Sequence, residues 1–184
     1  MRYLCDSCDT LDAVTGGRKW AVDQLSWADE GVRYATADFS EAMDYVVRVL
    51  AENSGLDLRL TANNANFRSV FQFIDGSQGV LARHELPGQN SGPHEQLTGW
   101  WDSAERPNQR ILNVVTLHEI CHGLGIVHFN SRPSLMNARL NPRFHDELDQ
   151  WTISELQSRH GTPRTVVPVP DCMTWLDQLC RGTA

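Results

Sequence analysis

Apolar residues recur along this chain in two rhythms. Ala42, Tyr45, Val46, Val49 and Leu50 fall three and four apart between Asp38 and Glu52, which predicts a helix with one buried face. Asp38 or Ser40 supplies its N-cap, and Asn53-Ser54-Gly55 ends it. Leu56, Leu58 and Leu60 alternate, as do Phe67, Phe71 and Phe73 with one gap. Both stretches therefore read as strands with one buried face, separated by a turn at Asn63-Asn64-Ala65-Asn66. Gly31 to Ala35 reads as a first strand. Val80 to Arg83 forms a short one after the tight Asp75-to-Gly79 loop, and Gly99 to Asp102 ends another. A mainly apolar run from Ile111 to Leu124 has no interior proline and reads as a helix broken near Gly125. Leu148, Trp151, Ile153 and Leu156 mark a last helix over Asp146 to His160, stopped by Gly161 and Pro163. Strand, helix, then several strands predicts a twisted sheet with helices packed on it.

Composition narrows the class. With 184 residues, 41% of them hydrophobic and 21% charged, the chain is long enough for one well-formed core. The 23 acidic against 16 basic side chains give a formal charge of −7, which disfavours nucleic acid as a partner. No apolar run approaches the length of a membrane span, and Met1-Arg2-Tyr3-Leu4-Cys5 lacks a signal-peptide core.

The second helix carries the chemistry. His118 and His122 stand four residues apart and share one face, so both imidazoles can grip one Zn²⁺. Glu119 sits one position round, displaced from the ligand face but able to reach a water beside the metal as a general base. A straight helix would carry His128 away from that ion. Gly125 tolerates positive φ, so the chain can reverse there and aim His128 at the metal as a third ligand. Three imidazoles leave one coordination position open, the mark of a catalytic rather than a structural zinc.

His118-Glu119-x-x-His122-x-x-Gly125-x-x-His128 resembles the metzincin signature, and Met136 within Ser134-Leu135-Met136-Asn137 resembles that family's methionine turn. Met136 lies eight residues after His128, a separation similar to the matrixin branch of endopeptidases. The resemblance spans about Gly31 to Gly161. It implies an α+β zincin-like catalytic domain: a twisted mixed sheet, an active-site helix and a small irregular C-terminal subdomain. It also implies a protein or peptide substrate, Met136 as a floor under the zinc, and Gly79, Val80, Leu81 and Ala82 as a sheet edge that pairs with extended substrate. Val114, Val115 and Leu140 would line the main pocket, which favours an apolar residue just after the scissile bond.

Several positions depart from the matrixin pattern. Arg83 stands where the family has a histidine of a structural zinc, with His84 one step late and His94 across the next loop. Asp75, Asp102 and Glu105 match acidic positions of the family's calcium sites. Trp151 and Thr152 replace two adjacent aspartates.

Five cysteines complete the inventory. Cys5, Cys8, Cys172 and Cys180 cluster near the two chain ends, which suggests two disulfides or, alternatively, a structural metal site. Cys121 reads as inert packing. Cys5-Asp6-Ser7-Cys8-Asp9 does not match the family's propeptide motif. These features predict an N-terminal arm (1–19), a catalytic domain (20–164) and a C-terminal extension (165–184) in a secreted or otherwise extracytoplasmic monomer. Two readings compete with a peptidase: a decayed protease fold used as an interaction module, and a zinc hydrolase of small amides. The complete set of three histidines, Glu119 and Met136 argues against decay.

Overall fold

The computed structural model describes residues 19–22, 24–61, 64–75, 79–89, 91–139 and 148–163. Its sheet has five strands: β1 (Gln24–Glu30), β2 (Asp57–Leu60), β3 (Phe67–Gln72), β4 (Ala82–His84) and β5 (Leu97–Asp102). They lie in the order β2-β1-β3-β5-β4, and only β4 runs antiparallel, against β5. Among the described residues there are three helices, in chain order: α1 (Phe39–Asn53), α2 (Gln109–Gly123) and α3 (Gln150–His160). This mixed sheet with its helices is an α+β fold.

The helical stripe of α1 is the buried one: Ala42, Met43, Val46, Val49 and Leu50 are all in the core. Asp38 is its N-cap, accepting from the Ser40 and Glu41 amides. Phe39 meets Trp101 of β5 edge-to-face at 4.9 Å, which ties the helix start to the sheet. By contrast α2 is buried nearly all round, from Leu112 to Gly123, as befits a helix through the middle of a domain. Asn108 caps it by accepting from the Ile111 amide. At the far end, α3 docks on the turn after α1, where Gly55 donates to the Gly161 carbonyl at 2.8 Å.

Two expectations shift. The first strand is Gln24–Glu30, not 31–35. Gly31 has φ +94° and the Asp29 carboxylate accepts from the Gly31 and Val32 amides, so the chain turns where a strand was expected. Strands β2 and β3 do not pair with each other but flank β1 in staggered registers, Trp27 facing Leu60 on one side and Phe67 on the other.

Candidate metal centre

Helix α2 presents His118 and His122 on one face, and a turn beyond its end returns His128 to them. One ring nitrogen from each of these three buried histidines lies within 4.8 Å of the other two. Among the described residues this is the only grouping of three or more such side chains able to share an ion.

The turn that delivers His128 is a Schellman motif. Gly125 takes φ +91°, its amide donates to the His122 carbonyl at 2.8 Å, and the Ile126 amide donates to the Cys121 carbonyl at 3.0 Å. A residue with a Cβ is strained at that φ, which explains a glycine at this position.

Backbone carbonyls set the tautomers. His118 Nδ1 is 2.8 Å from the Leu135 carbonyl, and His122 Nδ1 is 2.7 Å from the Ile126 carbonyl. A carbonyl only accepts, so each Nδ1 carries the proton and each Nε2 presents a bare lone pair. His118 Nε2 is buried without a hydrogen-bond partner. His122 Nε2 and His128 Nε2 approach to 3.2 Å. Two ligands on a tetrahedral zinc, each at about 2.0–2.1 Å, stand about 3.3 Å apart. Burial drives the His118 pKa down to about 3, with the neighbouring His128 adding to it. Burial and the other two imidazoles hold His122 well below its ordinary value. All of this favours the neutral, metal-binding form. The residues present fit a zinc ion.

Glu119 is buried on α2 between the two ligands in sequence, and Met136 is fully buried. The methionine turn is held from α3. Asp149 Oδ2 accepts from Ser134 Oγ at 2.8 Å, the Leu135 amide at 2.9 Å and Thr152 Oγ1 at 2.7 Å. Its Oδ1 caps α3 by accepting from the Trp151 and Thr152 amides. A single residue, Leu135, thus links the Asp149 carboxylate at its amide to His118 at its carbonyl. The pattern predicts this helix from Asp146, but it starts at Gln150 with Asp149 as its cap, and nothing local in the sequence signals the reach to Leu135.

The other expected site residues fall as follows. Gly79, Val80, Leu81 and Ala82 are buried and lead into β4, the last strand of the sheet, whose outer edge faces away from β5. Val114 and Val115 are both in the core. Leu140, Cys5, Cys8, Cys172 and Cys180 lie outside the described residues. Cys121 is a buried free thiol whose pKa burial pushes up. Asp102 spends its carboxylate on the Asp75 and Ala104 amides. His84 points into the layer beneath α2, against Phe67, while His94 is exposed. Arg83 stacks over the Trp100 ring at 4.9 Å on the opposite face, a cation–π contact where the matrixin pattern has a ligand. No helix among the described residues is long and apolar enough to cross a membrane.

A family model described as Matrixin matches residues 26–161. No curated protein matches the chain.

Proposed function

We propose, for a chain that belongs to the matrixin family of zinc metallopeptidases, that it is an endopeptidase with His118, His122 and His128 as zinc ligands and Glu119 as general base. The observation that carries this reading is the convergence of three buried imidazoles, two of them with Nδ1 protons committed to backbone carbonyls.

A zinc held there supplies Lewis acidity to a water molecule and to the scissile carbonyl. The protein's own residues do the rest. The outer edge at Gly79, Val80, Leu81 and Ala82 pairs with the backbone of an extended substrate, adding it as a strand. Glu119 takes a proton from the attacking water as the new C–O bond forms, then gives it to the departing amide nitrogen as the C–N bond breaks. Met136 packs beneath the histidines and contributes shape rather than a ligand. Val114, Val115 and Leu140 form the wall that selects an apolar residue just after the cut bond.

The catalytic unit in this reading is 20–164, with 1–19 and 165–184 as arms tied by disulfides among Cys5, Cys8, Cys172 and Cys180. Disulfides of that kind place the protein outside the cytoplasm. The test is metal analysis of the purified protein together with cleavage of a peptide library, before and after chelation and zinc replacement. Near-stoichiometric zinc and chelator-sensitive cleavage before apolar residues support the reading. Zinc without cleavage of any peptide, but with turnover of small amides, would overturn the endopeptidase assignment.

A further inference from the structure

The last turn of α2 leaves one carbonyl for a distant side chain. Helix ends carry carbonyls with no intrahelical donor. The Schellman turn answers two of them: Ile126 donates to Cys121 and Gly125 to His122. The carbonyl of Gly123 accepts from Trp20 Nε1 at 2.8 Å in a buried hydrogen bond that spans 103 residues of sequence.

Trp20 is held there on two sides. Ala21 donates to the Ser91 carbonyl at 2.9 Å and Ser91 to the Lys19 carbonyl at 3.1 Å, pinning the segment ahead of β1 to the connection between β4 and β5. Its ring meets Phe67 edge-to-face at 5.5 Å, and Phe67 meets His84 likewise at 5.6 Å. Both rings close on Gly123: a Cβ there would lie 2.7 Å from His84 Cε1 and 2.9 Å from Phe67 Cε1. Gly123 is therefore gripped at its carbonyl by one aromatic and at its Cα by two more. It directly follows His122 and precedes the turn whose Ile126 carbonyl orients His122 and whose exit delivers His128.

We infer that Trp20 is a positioning residue for the metal centre. Its indole N–H locks the end of α2, so that the turn carrying two of the three ligands is set before metal arrives. The inference rests on the zinc-peptidase reading and adds to it a residue outside the signature. Without the N–H, the Gly123 carbonyl is buried with no donor and the turn loosens. Ligand preorganisation is then lost, although Trp20 touches neither metal nor substrate.

The experiment uses the full chain with Trp20→Phe, and with the isosteric benzothienylalanine at position 20, which keeps the shape and removes only the N–H. Leu58→Ala on β2 serves as a destabilised control away from α2. Zinc release to a chromogenic chelator should be about tenfold faster in both Trp20 variants, equivalent to about 1.4 kcal/mol. In metal-free protein the Gly125 and Ile126 amides should exchange with solvent about tenfold faster. The control, at a comparable loss of melting temperature, should show neither change. Release and exchange at wild-type rates in the isosteric variant, or equal acceleration in the control, would overturn the inference. Should the wild type hold no zinc, the peptidase reading fails instead, and amide exchange in the metal-free protein still decides the role of Trp20.

Discussion

Replacing Asp149 by asparagine tests how the turn around Met136 is held beside His118. Asparagine caps helices as well as aspartate does, so α3 keeps its Oδ1 acceptor for the Trp151 and Thr152 amides. The loss falls on the other oxygen. An amide nitrogen there faces the Leu135 N–H, donor against donor, and no longer accepts from Ser134 or Thr152. Leaving a buried donor such as Leu135 N–H without an acceptor costs about 1–3 kcal/mol, and hydrogen bonds to a charged group contribute about 1.5–3 kcal/mol each. Asp149 is only part-buried, so solvent screening argues for the lower end, about 2 kcal/mol in all. For a chain of this size that lowers the melting temperature by about 4–8 °C.

Acidity gives the same experiment a second axis. Burial works to raise the Asp149 pKa, but hydrogen bonds from Thr152, Ser134 and Leu135 outweigh it and hold the carboxyl below its ordinary value. A group with a depressed folded pKa stabilises above its unfolded pKa, about 3.9, and that stability is lost as pH falls through the folded value. The difference between wild type and Asp149→Asn should therefore be full at pH 6 and shrink below about pH 4. Zinc affinity should fall about 10–100-fold as well, because the Leu135 carbonyl orients His118. Thermal melts of metal-free protein from pH 3 to 7, with zinc titrations at neutral pH, measure all three. A variant melting within 1 °C of wild type, or a difference that grows as pH falls, would refute the assignment of these bonds.

Glu119→Gln should keep zinc and fold but lower peptidase activity by about 10²–10⁴-fold, the usual worth of a general base; a variant with full zinc and more than a tenth of the wild-type rate rules Glu119 out. His122→Ala should lose metal and activity together. Gly125→Ala forces a side chain into φ +91° and should destabilise the fold by about 1–3 kcal/mol while weakening zinc binding, read by melts and titration; unchanged values would mean the turn relaxes without moving His128. Denatured, unreduced protein should show one free thiol, Cys121, if the four terminal cysteines pair; five would leave the chain without disulfides.

Local rules carried most of the fold. The α1 stripe, its Asp38 cap and the existence of β2 and β3 were readable because each rests on neighbours in sequence. Leu60 and Phe73, expected on the buried faces, are however each 68% exposed, at or just past the ends of their strands. The first strand was not. Val32 and Tyr34 carry strand-favouring side chains, yet the Asp29 carboxylate and the positive φ of Gly31 turn the chain before them. Gln24–Glu30 has a weaker pattern, with Leu25 and Trp27 as its only fully buried members, and forms a strand because β2 and β3 pair with it on both sides. Pairing across the sheet outweighed local propensity there.

The site divides the same way, and the division follows from what a metal centre needs. His118, His122, Gly125 and His128 are fixed by helix period and one turn, so a stretch of eleven residues displays them. Holding those side chains is a different problem, because each Nδ1 proton needs a carbonyl and each such carbonyl needs a rigid chain behind it. His122 finds its carbonyl on Ile126, within the turn itself; His118 finds one on Leu135, which in turn leans on Asp149. The helix end that starts the turn leans on Trp20. The bonds that orient the histidines span 4 residues for His122 and 17 for His118, and the supports behind them span 14 for Asp149 and 103 for Trp20. The groups that would bind metal are therefore legible as a motif. The groups that would make the site stiff are legible only once the sheet and helices have brought distant segments together.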